Sequence, residues 1–85
     1  MDNPVKRERR RLGLTQNQLA LMAGVSTVRV YEVERGSTPK ISPRVLQALE
    51  CAGVDGGRLA LEYAAWRDLE GLRLREALRQ GIVNG

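Results

Sequence analysis

The sequence predicts an all-α fold, and three observations carry that expectation. Glycines at positions 13, 24, 36 and 53 divide the first two-thirds of the chain into helix-sized pieces. A capping residue opens each piece (Asn3, Thr15, Ser26 and Ser42), and the first and last of these are followed by proline. No stretch alternates with the strand period of two, and no repeat or low-complexity segment interrupts the pattern.

The first helix starts at Asn3-Pro4 and runs through Val5 and a basic cluster to Leu12. Gly13 can take the left-handed conformation that ends it. Thr15 caps a second helix in which Leu19, Ala20 and Ala23 share one face, stopping at Gly24. Ser26 caps a third, with Val30 and Val33 facing inward and Gly36 at its end. Ser37 to Ile41 form a loop. Ser42-Pro43 starts a fourth helix, carried by Val45, Leu46 and Leu49 to Gly53, on which Cys51 reads as a small core residue.

The remainder divides the chain into residues 1–54 and a helical extension over 55–85. A continuous helix from Arg58 to Gln80 would be about 35 Å long at ~1.5 Å per residue. Its apolar residues form two stripes. One holds Leu59, Tyr63, Trp66 and Ala77 with Leu74 beside it, and the other holds Leu61, Ala65, Leu69 and Leu72 on nearly the opposite side. A helix packed on one core needs a single stripe, so the second requires another surface. That surface is either a partner chain or, if the helix breaks at Gly71, the tail folded back on itself. An interior glycine costs only ~1 kcal/mol, which leaves both arrangements open. A partner is the expectation carried forward.

Composition narrows the chemistry. Among 85 residues there are 14 Lys plus Arg, 10 Asp plus Glu, no histidine and one cysteine, for a net charge of +4. One cysteine excludes an intrachain disulfide. Without histidine there is no Ser-His-Asp arrangement and no zinc site of the usual kind, so neither an enzyme nor a metal or other cofactor is expected. No apolar run approaches a membrane span or a signal peptide, and a reducing cytoplasm is the expected setting. Through Val54, nine basic residues face five acidic ones, whereas from Asp55 onward five balance five. The whole basic excess therefore sits in the first part, as an anion-binding module requires.

Two short helices joined by a tight corner at Gly24, with small Ala20 at their crossing, have the form of a helix-turn-helix. Leu19, Ala23, Val25, Val30 and Val33 fill the angle between them. The outer face of the second motif helix keeps Thr27, Val28, Arg29, Tyr31, Glu32 and Arg35. In this segment the chain resembles the lambdoid phage repressor and Cro family, also called XRE-like. The match runs through Arg9, Leu12-Gly13-Leu14-Thr15-Gln16, Leu19-Ala20, Ala23-Gly24-Val25-Ser26, Val30 and Glu34-Arg35-Gly36, and covers roughly residues 5 to 54. It implies a five-helix, lambda-repressor-like DNA-binding domain whose second motif helix enters the major groove of double-stranded DNA, here with an extended C-terminal helical tail.

The resemblance implies roles. Gln16 would bond a phosphate and brace the reading helix. Thr27 and Val28 would contact bases, their methyl groups suiting a thymine methyl. Glu32 either accepts from a cytosine amino group or pairs with Arg29 or Arg35. Arg29 is assigned to base or phosphate without a choice between them. Tyr31, Arg35, Lys40 and Arg44 are assigned to the DNA backbone. Arg9 and Glu34 match the family's internal ion pair. Lys6, Arg7, Arg10 and Arg11 read as a solvated face. The expected function is a sequence-specific transcriptional regulator, a homodimeric repressor on a palindromic operator, joined through Leu61, Ala65, Leu69 and Leu72. Two other readings stay open: an antitoxin whose tail masks a toxin, and an architectural DNA-binding accessory.

Overall fold

The computed structural model describes residues 2–81, which form five α-helices with no strand among them. They are α1 (Pro4–Arg11), α2 (Gln16–Ala23), α3 (Thr27–Glu34), α4 (Pro43–Cys51) and α5 (Gly56–Arg79). Residues 82–85 of the predicted extension lie outside the described residues.

Local chemistry sets the helix starts. The Asn3 carboxamide oxygen accepts from the Val5 and Lys6 amides at 2.8 and 3.2 Å. Thr15 and Gln18 form a reciprocal box, the Gln18 amide donating to Thr15 Oγ1 at 3.0 Å and the Thr15 amide to Gln18 Oε1 at 2.9 Å. Ser26 accepts from the Arg29 amide at 3.2 Å. Ser42 departs from the sequence expectation: α4 begins at Pro43, but the Ser42 side chain makes no capping bond. Proline fixes the helical φ without one.

One core joins all five helices. Val5, Leu19, Val30, Val33, Val45 and Leu49 are fully buried, and Leu59, Tyr63 and Trp66 of α5 complete the same cluster. The core therefore runs across residue 54 into the first half of α5. Cys51 corrects the sequence reading, because it is exposed. On α4 the inward face is Val45, Ala48 and Leu49, and residue 51 falls outside that arc. Arg7 lies exposed, as a solvated face requires, and from there grips Glu62 of α5 through both Nη groups at 3.3 and 3.0 Å.

The tail is a single helix through Gly71, whose missing side chain faces open space. It does not fold back. The first stripe reaches the core only as far as Trp66, because the helix then projects beyond it; Leu74 is exposed and Ala77 only half-buried. Leu61, Leu69 and Leu72 of the second stripe are also exposed, Leu61 by 75%.

Candidate nucleic-acid interface

The pair α2–α3 turns at Gly24, which adopts φ 70° and closes α2 while the Val25 amide donates to Ala20 O at 3.0 Å. Buried Val30, Val33 and Glu34 hold α3 from behind. Its outer surface is then free for contact. Val28 stands 66% exposed there, with Tyr31, Glu32 and Arg35 on the same side. The Arg35 guanidinium lies 5.6 Å from the Tyr31 ring centroid, and Arg29 Nε is 4.0 Å from Glu32 Oε1. That last separation is a loose, solvent-screened pair, leaving the Glu32 carboxylate open to other donors.

The flanks of α3 are tied to different neighbours. On the α2 side, exposed Thr27 donates through Oγ1 to Asn17 Oδ1 at 3.1 Å, so the hydroxyl keeps acceptor capacity. On the α4 side, Arg29 borders two hollows. It shares one with Ser26 and Arg44 and the other with Lys40 and Ile41, with Ser42 and Pro43 between them. Arg44 Nη1 donates to Gly24 O at 3.2 Å, fastening the start of α4 to the motif's corner. Lys40 is exposed in the loop. Arg29, Lys40 and Arg44 thus surround an uncapped helix start, where first-turn amides and three cations suit an anionic oxygen.

Behind α3, Glu34 accepts from Arg9 Nε at 2.6 Å and Arg9 Nη2 at 3.1 Å, while Arg9 Nη1 donates to Leu14 O at 2.8 Å. The side chains are only 11% and 4% exposed. Gln16 Nε2 donates to the same carboxylate at 3.1 Å, so one of its two amide hydrogens is committed to Glu34 and the other remains for an outside acceptor.

The far end of α3 is gripped by residues to which the sequence reading assigned no site role. Asn3 Nδ2 donates to Val33 O at 3.0 Å, and the Tyr63 hydroxyl is shared between Val33 O and Thr38 O. Arg67 Nε donates to Gly36 O at 3.0 Å, and Trp66 lies against Gly36. No local signal pairs residues about thirty positions apart, and Asn17 likewise carries no signal beyond its place at the start of α2. Leu61, Ala65, Leu69 and Leu72 lie apart from this surface, exposed along α5.

Titration is perturbed away from the outer face of α3. Partial burial raises the Glu8 carboxyl, but bonds from Arg11 and Arg7 outweigh it and leave the group below the ordinary glutamate value. Bonds to Glu62 and Glu8 hold Arg7 more firmly protonated. Among the described residues no three potential metal ligands cluster, and no helix is long and apolar enough to cross a membrane.

The arrangement presents a helix of hydrogen-bonding and methyl-bearing groups, flanked by cations, to one side of the molecule. The sequence profile of the helix-turn-helix family matches residues 5–52, which span α1 to α4. Neither a curated protein nor a solved structure matches the chain. With more than half the chain covered and the motif's geometry in place, the protein belongs to the Cro/XRE-like helix-turn-helix family and is a DNA-binding protein of the transcription-regulator type.

Proposed function

We propose that the protein is a sequence-specific repressor that binds a two-fold operator as a homodimer. The observation that carries the reading is Val28, an aliphatic side chain exposed in the first turn of α3 among hydrogen-bonding groups. A solvated valine gains nothing there, whereas a thymine methyl in the major groove covers it. Thr27, Arg29 and Glu32 beside it supply hydrogen-bonding groups for neighbouring bases, and Gln16, Tyr31, Arg35, Lys40 and Arg44 supply phosphate contacts. Leu61, Ala65, Leu69 and Leu72 offer the surface that joins two copies, and doubling the base contacts raises specificity to a useful level. A dimer seated on a promoter blocks it by occupancy.

Selection of preferred sites from random duplexes, followed by footprinting across a salt series, tests the reading. A dimer neutralising 6–10 phosphates loses about a thousand- to a hundred-thousand-fold in affinity between 50 and 200 mM salt. Lys40→Ala is expected to reduce the log–log salt slope by about one while weakening all sequences alike. Equal affinity for selected and random DNA would overturn sequence-specific repression.

A further inference from the structure

The homodimer reading leaves open how two copies meet, and the surface of α5 carries more than its leucine stripe. Between α1 and α5 run two hollows that share Arg7 and Glu62 as walls. The smaller, about 130 Å³, is lined by Pro4, Arg7, Glu62, Ala65, Trp66 and Leu69. An apolar cavity of about 150 Å³ accommodates benzene, so this volume suits one leucine side chain. The larger, about 350 Å³, continues toward the start of α5 between Arg11, Asp55 and Arg58. Together they make a groove along the helix, with the small side chain of Ala65 at the edge of its narrower part.

Charge along α5 is polarised in the same direction. Asp55, Arg58 and Glu62 at its start sum to −1, whereas the charged residues of the projecting half, from Arg67 to Arg79, sum to +1, with the excess in the stretch from Arg73 to Arg79. The Arg58 guanidinium has no partner among the described residues. A parallel pair would set Ala65 against the partner's Ala65, leave the smaller hollow unfilled, and bring the two positive halves together. An antiparallel pair fills the hollow and keeps the two positive halves apart.

We propose that two copies pair through α5 in antiparallel fashion, each projecting half lying in the other's α1–α5 groove, with Ala65 facing the partner's Leu69. This rests on the homodimer reading and specifies its geometry. In that register Leu61 packs beside the partner's Leu72, Arg58 meets the partner's Glu76, and Asp55 meets the partner's Arg79. Two-fold symmetry repeats each contact, so the small side chain at 65 and the large one at 69 alternate across the interface. The otherwise unsupported half of α5 is covered by the core of the other copy.

Mixed cross-linking tests the geometry. Leu61→Cys and Leu72→Cys are each made in a Cys51→Ser background, since Cys51 is exposed. All three sites are on the surface, so folding is retained. In the antiparallel register two copies of residue 61 lie about 18 Å apart along the helix, at ~1.5 Å per residue, too far for a disulfide. Oxidation is therefore expected to link the two variants only when they are mixed. Linkage of Leu61→Cys to itself would overturn the proposal in favour of a parallel pair. Sedimentation without DNA separates the remaining outcomes. A dimer that cross-links in no combination overturns the α5 geometry and leaves the homodimer standing, whereas a monomer at tens of micromolar overturns both. As a second measure, Arg58→Glu is expected to weaken dimerisation at least tenfold, and adding Glu76→Arg to restore it. Absence of that rescue would remove the assigned charge pair.

Discussion

The Tyr63 hydroxyl lies 3.1 Å from the carbonyl oxygen of Val33 and 3.0 Å from that of Thr38, and thereby joins α5 to the last turn of α3. Thr38 Oγ1 stands 3.3 Å from the same hydroxyl. One buried phenol thus holds α3 and the loop that follows it in a fixed relation. Tyr63→Phe keeps the ring and deletes this junction, and Val33 O retains only its bond from Asn3 among the side chains. Urea unfolding is expected to show a loss of about 1 kcal/mol, the usual net worth of such a bond. An unchanged midpoint would show that the junction adds no stability.

The Arg9–Glu34 pair is nearly dry, so its two members are expected to behave as a unit. Glu34→Ala leaves the Arg9 guanidinium and the Gln16 amide without their shared acceptor. Loss of one partner in such a setting costs about 3–5 kcal/mol, while an apolar replacement of both costs far less. Arg9→Met combined with Glu34→Leu is therefore expected to be more stable than Glu34→Ala alone. Equal destabilisation by the double and single variants would refute this coupling.

Gly13 and Gly36 both have positive φ, 73° and 79°, but differ in surroundings. A Cβ at Gly13 meets nothing within 4 Å, whereas at Gly36 it would lie 2.5 Å from Trp66 Cζ3. Gly13→Ala is expected to cost the left-handed penalty alone, about 1–2 kcal/mol. Gly36→Ala adds overpacking of roughly 1–3 kcal/mol. Thermal unfolding of the two variants compares them directly, and equal melting temperatures would contradict the close approach of the indole.

What the sequence made legible was local. Thr15 and Gln18 are three residues apart, and a cap needs only its own first turn, so the starts of α1, α2 and α3 could be read directly. The polar front of α3 followed from the period of Val30 and Val33. The ties from Arg7 to Glu62 and from Arg67 to Gly36 could not be read, because they join residues 55 and 31 positions apart. Continuation through Gly71 could not be read either: an interior glycine shifts the helix balance by only ~1 kcal/mol, less than packing can override. Residue type alone points Cys51 into the core, whereas its position on α4 lies outside the buried arc.

Acid should weaken the fold partly through Glu8. Its folded carboxyl titrates below the ordinary glutamate value of about 4.3 because Arg11 and Arg7 donate to it at 2.8 and 3.0 Å. That stabilisation is fully present above the ordinary value and is lost as pH falls through the lower folded one. Wild type is accordingly expected to exceed Glu8→Gln in stability near neutrality and to converge with it under acid. A gap that stayed constant down to pH 2 would assign the effect to packing.

Val28→Ala and Glu32→Ala should change which bases are preferred instead of weakening all DNA alike. Each is expected to alter discrimination by roughly 1–3 kcal/mol at one operator position, read from selected-site profiles. A Glu32→Ala profile identical to wild type would return that carboxylate to its loose pairing with Arg29.

Trp66 is the only tryptophan in the chain, and its six-membered ring rests where a side chain at Gly36 would be. The molecule consequently carries a single indole fluorophore at the joint between the second motif helix and the helix that projects from the core. Indole emission depends on solvent access, so its wavelength reports on that joint with no label attached. Titrating unlabelled protein with duplex, or diluting it through its self-association range, follows in one optical signal whether events at either helix are felt at the other.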